Sequence, residues 1–355
     1  MNPPLDLEGT PLPPTNPGTP EHYDWEEEAN PAHIFVGGRK SHLAVVQSRW
    51  VAEKLRGVHP GLSFPVVALS TLGDNVQTKP LYAFGGKALW TKELEVLLLN
   101  QVEGYDQLDM VVHSLKDMPT TLPEGCTLGA ITEREDPRDA VCMALNSPYK
   151  HLRDLPDGSV VGTSSLRRTA QLRRSYPNLE FKSVRGTIQT RLAKCDDETS
   201  EYKAVILAAA GLIRVDLSHR ITSFLESPDM YYAVGQGALG IEIRTNDARI
   251  QRLVSRVNHH PTNMRCRAER ALMKSLEGGC SVPIGVESHF CSESNTLTLT
   301  GIVVSVDGQK YVKGTVSAHA YSDEDAADVG VNLAADLIAK GAKTILDEIH
   351  LDHIA

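Results

Sequence analysis

The sequence predicts an α/β protein with an α+β domain at its C-terminal end, on three observations. β-like runs alternate with amphipathic helical stretches from residue 34 to 112. The same alternation restarts after Asp136-Pro137. The last third changes rhythm, to strand-like runs joined by an Asp307-Gly308 turn and followed by a helix. The length of 355 residues agrees, being too great for one compact core.

The first unit opens with a β-like run, Ile34 to Gly37. Leu43, Val46, Trp50, Val51, Leu55 and Val58 then recur at helical spacing. Val66 to Leu69 reads as a strand, Ala88 to Val102 as a helix and Met110-Val111-Val112 as a short buried strand. This βαβαβ order predicts a parallel sheet with helices on its faces. In the second unit, strands are expected at Ala140 to Leu145, Val160-Val161, Leu179 to Val184 and Ala204 to Leu207. Helices are expected at Leu166 to Ser175 and Thr187 to Lys194. Leu239 to Ile243 is one further strand, able to return to the first sheet. In the last third, Val286 to Phe290, Leu297 to Val306 and Lys310 to Ser317 predict an antiparallel sheet, because Asp-Gly between β runs signals a hairpin. Ala326 to Ala339 reads as the closing helix.

Composition narrows the function classes. A formal net charge of −9 and an aromatic content of 5%, with no aromatics interleaved among the arginines, argue against nucleic-acid binding. No apolar run approaches the roughly 20 residues of a membrane span. The cysteines, Cys126, Cys142, Cys195, Cys266, Cys280 and Cys291, form no C-x-x-C pair and match no zinc spacing. No metal is expected. Free thiols and the lack of a secretory apolar region predict a cytoplasmic protein. Residues 1 to 32 hold seven prolines up to Pro20 and an acidic run, Glu26-Glu27-Glu28, with no Lys or Arg before Arg39; they read as a disordered tail.

Ligands of parallel α/β sheets bind beyond the carboxyl ends of the strands. Three such ends carry polar residues here. They are Gly37-Gly38-Arg39-Lys40-Ser41, His113-Ser114-Leu115-Lys116-Asp117-Met118-Pro119 and Gly162-Thr163-Ser164-Ser165-Leu166-Arg167-Arg168. The third brings hydroxyls and free backbone N–H groups to a helix N-terminus, which favours an anion. Arg167, Arg168, Arg185 and Arg191 together suggest a cationic wall; the plainer reading is an N-cap serine with solvated arginines. Asp117, beside Lys116, suits stabilisation of a developing positive charge, and equally suits a turn before proline. Cys280, in Glu277-Gly278-Gly279-Cys280-Ser281-Val282-Pro283, lies on a glycine-rich loop where a thiol is more accessible than in a core. The residues alone leave open whether it is functional.

Taken together and in order, several blocks resemble the porphobilinogen deaminase family across nearly all of residues 34 to 350. They are Gly85-Gly86-Lys87 with Thr91-Lys92-Glu93-Leu94-Glu95, the block from Val112 to Pro119, Glu133 to Asp139, Val161 to Arg168, Ala233 to Ala238 and Leu276 to Cys280. The resemblance implies two periplasmic-binding-protein-like α/β domains flanking a cleft, plus a C-terminal α+β domain. The domains would be residues 33–132 with 237–257, then 133–236, then 258–355. It implies a dipyrromethane cofactor joined to Cys280 by a thioether, head-to-tail addition of four porphobilinogens with loss of ammonia, and release of hydroxymethylbilane by water. Asp117 would stabilise the azafulvenium-like cation. Arg39, Ser41, Lys87, Ser114, Lys116, Thr163, Ser164, Ser165, Arg167, Arg168, Arg185, Gly186, Arg191 and Arg214 would bind the acetate and propionate groups. A monomer without nucleic-acid or membrane partners is expected. The chain departs from the family at Gly38 and Thr187, where threonine and asparagine are usual, and at Ala83, the likely place of a lysine. A non-enzymatic small-anion binder is the rival class; it would need neither Asp117 nor a loop cysteine.

Overall fold

The computed structural model describes residues 33–70, 91–276 and 282–352. The proline-rich tail, Ala83, Lys87, the start of the helix expected from Ala88 and the Cys280 loop lie outside the described residues. The chain divides into two compact units. One comprises the described residues up to Thr132 together with Leu239–His259; the other comprises Glu133–Ala238 and the described residues from His260 onward.

The first unit is a five-stranded sheet in the order β2-β1-β3-β10-β4. Its strands are β1 (Val36–Arg39), β2 (Val66–Leu69), β3 (Met110–Ser114), β4 (Cys126–Ile131) and β10 (Leu239–Arg244). β1 pairs in parallel with β2 and β3, as the βαβαβ pattern predicts. β10 does return to this sheet, but antiparallel, between β3 and β4. The sheet is therefore mixed rather than wholly parallel. A strand contributed by a distant segment needs no crossover helix, so its direction escapes the local pattern. Helix α1 (His42–Val58) buries Val51, Ala52 and Leu55 against Ile34, Val36, Met110 and Val112. Helix α2 (Lys92–Leu99) buries Leu94, Leu97 and Leu98 with Val67, Leu108 and Val111. Helix α6 (Ala248–Ser255) adds Ile250, Leu253 and Val254 to the α1 core.

The second unit holds two sheets. One has the order β7-β6-β8-β5-β9, from β5 (Asp139–Met143), β6 (Val160–Gly162), β7 (Glu180–Lys182), β8 (Tyr202–Ala208) and β9 (Ser223–Leu225). It repeats the plan of the first unit: β6 is parallel to β7 and β8, and β5 runs antiparallel beside β8. Helices α3 (Leu166–Ser175), α4 (Ile188–Asp196) and α5 (Ala209–Arg214) connect or follow these strands. The other sheet is the expected antiparallel meander of β11 (Ile284–Cys291), β12 (Thr296–Val304) and β13 (Tyr311–His319). Gly308, at φ +80°, makes the turn between β12 and β13. Helices α7 (His260–Ser275), α8 (Asp323–Ala339) and α9 (Ala342–Asp352) accompany this sheet.

α7 and α8 cross unusually closely. A Cβ added at Gly330 of α8 would stand 2.1 Å from the carbonyl oxygen of Ala268 and 2.8 Å from the amide nitrogen of Leu272. Backbone cannot yield as a flexible side chain can. Gly330→Ala is expected to destabilise the second unit by about 1–3 kcal/mol, as overpacking does, read as a lower urea midpoint. An unchanged midpoint would show that the helices separate at no cost.

Candidate active site

In the first unit the chemistry gathers at the carboxyl ends of β1 and β3, which lie side by side. Arg39 is the last residue of β1, and Ser114 is the last of β3. A single 3₁₀ turn, Leu115–Asp117, follows. Leu115 and Met118 are fully buried on either side of Lys116 and Asp117, so the turn is nailed down while Asp117 stays exposed. A small pocket of about 30 Å³ opens here, with Arg39, Gln47, Thr91, His113, Ser114 and Asp117 in its lining. That is room for about two waters. The Ser114 hydroxyl is held by the buried Gln47 amide of α1, whose Nε2 donates at 2.9 Å. Ser41 occupies the N-cap position of α1 yet makes no capping hydrogen bond with its side chain.

In the second unit the polar residues stand at the carboxyl ends of the three parallel strands. Past β6, Thr163 is buried and its Oγ1 accepts from the Ser165 amide. Ser165 is the N-cap of α3, its hydroxyl accepting from the Arg168 amide. Ser164 is exposed and donates to the Val184 carbonyl at 2.7 Å, tying the β6 loop to the loop after β7. In that second loop Gly186 has φ +119°, and a Cβ there would meet Thr190 at 2.8 Å. Arg191 donates from Nε to the Gly186 carbonyl, and Arg185 and Arg191 are half-buried. Arg214, at the end of α5 beyond β8, donates to the Gly237 carbonyl at 2.7 Å. Burial, partly offset by Glu135, draws its pKa down to about 10, so it stays charged at neutral pH.

Arg167 and Arg168 differ from these. Both guanidiniums turn inward onto Asp139 of β5, which is 0% exposed. Arg167 reaches Asp139 Oδ2 at 2.7 Å and the Tyr231 carbonyl at 2.7 Å. Arg168 donates to Asp139 Oδ1 from Nε and Nη2 at 3.0 and 2.8 Å, and to the Ile206 carbonyl at 2.9 Å. Gln236 also donates to Asp139 Oδ1 at 3.0 Å. Burial alone would raise the Asp139 pKa, but the two guanidiniums override it and hold the carboxyl well below the usual range. The expected wall thus has two layers: a buried pair sharing one carboxylate, and half-buried arginines on the loops. Two cations on one anion leave excess positive charge behind the α3 N-terminus.

Four cysteines are poor nucleophiles. Burial pushes the thiols of Cys126, Cys142, Cys195 and Cys266 up to about 12. Cys291, at the end of β11, is half-buried, and hydrogen bonds with Ser294 lower its pKa. Cys280 itself lies outside the described residues, between buried Leu276 and Val282 in the sequence.

Two family models match this chain. The model described as "porphobilinogen deaminase, dipyromethane cofactor binding domain" covers residues 34–252, and the porphobilinogen deaminase C-terminal domain covers 263–339. The porphobilinogen deaminase of Yarrowia lipolytica is 57% identical over 330 residues, 93% of this chain and 97% of its own length. That of Saccharomyces cerevisiae is 53% identical over 325 residues, covering 91% and 99%. That of the cyanobacterium Synechococcus elongatus is 50% identical over 316 residues, covering 89% and 95%.

The chain belongs to the porphobilinogen deaminase family.

A porphobilinogen deaminase is a transferase of tetrapyrrole biosynthesis, hydroxymethylbilane synthase, with a dipyrromethane cofactor, and the rival reading as a simple anion binder falls. The donor set suits that cofactor, whose pyrroles carry carboxylates. In the second unit the half-buried Arg185 and Arg191 have the charge and donors that a carboxylate-bearing cofactor requires. Two departures from the porphobilinogen deaminase pattern have local explanations. Thr187 caps α4, accepting from the Thr190 amide at 3.2 Å, a task asparagine performs equally well. At Gly38 a Cβ would stand 2.2 Å from the Ser48 hydroxyl, so Ser48 already fills that space. Asp139 and His113 fall within the family blocks and Gln47 and Glu242 outside them, and none of the four carries a local signal of its role. Their partners are remote in the chain, so no spacing signalled them.

Asp139→Asn leaves two guanidiniums buried without a counter-ion. It should cost about 3–5 kcal/mol in urea unfolding at neutral pH. The folded pKa of Asp139 lies below the unfolded value near 3.9. The ion contact therefore contributes fully above that value and is lost as pH falls beneath it. The Asn variant should accordingly show a shallower loss of stability below about pH 4 than the parent. Equal stability and equal acid slopes would mean that the arginines do not need the charge.

Proposed function

We propose that this chain joins porphobilinogen units head to tail at the Asp117 pocket, working on a dipyrromethane held by Cys280. The observation that carries the reading is Asp117 itself, an exposed carboxylate on a turn fixed by buried Leu115 and Met118, with Arg39 and Ser114 in the same pocket lining. When bound, dipyrromethane supplies the pyrrole α-carbon from which growth starts. Asp117 faces the azafulvenium cation formed from porphobilinogen as ammonia leaves, and its fixed charge needs no reorganisation at that moment. Arg39, Ser41, Ser114 and Lys116 take the substrate carboxylates in the first unit. In the second unit Arg185, Arg191 and Arg214 offer guanidinium donors to acetate and propionate groups, while Ser164 ties the β6 loop to the loop after β7. Thr163, Ser165 and Gly186 shape the loops, and Arg167 and Arg168 supply the buried positive field. Lys87 belongs to the same proposal on its sequence position. Cys280 is favoured for attachment because four of the other thiols are held protonated by burial.

Hydroxymethylbilane as product, a monomeric state and a cytoplasmic setting complete the proposal. The cysteines at 126, 142, 195, 266 and 291 are all free, which suits a reducing compartment. Among the described residues no helix is long and apolar enough to cross a membrane.

Asp117→Asn keeps size and an acceptor oxygen but removes the charge. With the cofactor adduct verified by mass, turnover should fall by about 10²–10³ with the melting temperature unchanged. Turnover within a few-fold of the parent would reduce Asp117 to a turn residue. Cys280→Ser should give a folded protein lacking the two-pyrrole adduct by intact mass, since a hydroxyl is a far weaker nucleophile than a thiolate. An adduct found on Cys291 instead would move the attachment site.

A further inference from the structure

Behind the Asp117 pocket lies a buried group of titratable side chains with no role in the reading above. His113 of β3 and Glu242 of β10 sit on the same face of two antiparallel neighbours, in the register Gly240↔His113 and Glu242↔Val111. His113 Nε2 and Glu242 Oε2 are 2.8 Å apart, and the two residues are 6% and 0% exposed. A carboxylate accepts, so Nε2 carries the hydrogen. That leaves Nδ1 as the free ring nitrogen, and it has no hydrogen-bond partner among the described residues. His113 lines the same pocket as Asp117.

The surroundings favour a working pair over a structural one. Glu242 Oε1 is buried without a hydrogen-bond partner among the described residues. A fully buried carboxylate held by one imidazole and touched by the Cys126 thiol is an expensive way to fill a core. From α2, Glu95 faces the pair, with Glu93 on the same helix. Burial first, and then Glu242, raise the Glu95 pKa. From β4, the Cys126 thiol is pushed up to about 12 by burial and by Glu242 and Glu95, and stays protonated. Arg244, two residues along β10, is taken up by Asp109 and Asp247. Arg39 and Asp117 complete the charged groups of the pocket.

Each condensation displaces a proton from carbon. The C–N bond of the porphobilinogen ammonium breaks, its electron pair leaving with ammonia. The resulting cation is attacked by a pyrrole α-carbon, forming the C–C bond. The C–H bond at that carbon then breaks, its electrons restoring the aromatic ring. The released proton ends on ammonia as ammonium, so charge balances. We propose that His113 Nδ1, with Nε2–H oriented by Glu242, accepts this carbon-bound proton before passing it on. Glu242 is then a positioning residue that also stabilises the imidazolium. The proposal rests on the Asp117 pocket being the reaction site, and it separates two tasks: Asp117 faces the cation, and His113 takes the proton.

The test uses the cofactor-bearing enzyme and porphobilinogen deuterated at its free α-position. His113→Asn, with adduct mass and melting temperature verified, should lose about a hundredfold or more in turnover. It should also show a larger deuterium isotope effect than the parent, because C–H cleavage becomes limiting. Glu242→Gln should lose less and shift the isotope effect the same way. Asp117→Asn should lose rate with the isotope effect unchanged. An isotope effect in His113→Asn equal to the parent's overturns the proposal whatever the rate. A rise in Asp117→Asn alone overturns it too, by giving the proton to Asp117. Loss of rate in His113→Asn with its isotope effect raised, but normal turnover in Asp117→Asn, sinks the Asp117 reading and keeps this one. Independently of activity, ¹⁵N-histidine NMR of the parent holoenzyme should show His113 with a hydrogen on Nε2 and a bare Nδ1. A hydrogen on Nδ1 with a bare Nε2 overturns the proposal even if the variants fail to fold.

Discussion

Asp139 carries two arginines on a single carboxylate with no access to solvent, and much of the second unit is arranged around that contact. Its oxygens accept from Arg167, Arg168 and Gln236. The same arginines reach on to the Tyr231 and Ile206 carbonyls. One acid therefore binds β5, α3, β8 and the segment before β10 into a common frame. A buried ion group is worth little as net stability, because desolvation consumes most of the Coulomb gain. It is very costly to break, and that asymmetry fixes where α3 begins. The α3 N-terminus and its Thr163-Ser164-Ser165 loop consequently have only one position available.

The first unit solves the equivalent problem with apolar anchors. Leu115 and Met118 are sunk into the core, so the backbone of the turn between them is anchored. Asp117 is exposed on that anchored turn. Rigid presentation matters for a charge meant to face a developing cation, since a mobile carboxylate would have to reorganise as the reaction proceeds. His113, held by Glu242, lines the same pocket.

The two α/β sheets share a strand order although their antiparallel strands come from opposite ends of their segments. β10 arrives late in the chain, and β5 early. Both sheets place their polar loops at the carboxyl ends of three parallel strands, where strand polarity and helix N-termini converge. Two sheets with the same plan thus acquire different chemistry, a lone carboxylate in one and a cluster of arginines in the other. The difference lies in which loops carry which residues, and the frame is common to both.

Much of this was legible in the chain itself. Helix α3 was readable to the residue, with the cap left between Ser164 and Ser165, and β2 from a run of apolar residues. The β12–β13 hairpin was readable from Asp307-Gly308. These are local signals, set by backbone propensity and by the burial of near neighbours. The ordered blocks around Asp117, Arg167 and Cys280 likewise pointed to the family without any coordinates. Tertiary structure decided what local spacing could not: that β10 runs antiparallel, that Arg167 and Arg168 face inward to Asp139, and that His113 meets Glu242. Each depends on a partner far away in sequence. Whether a charged side chain faces water or a buried counter-ion is settled only when those distant strands close on it.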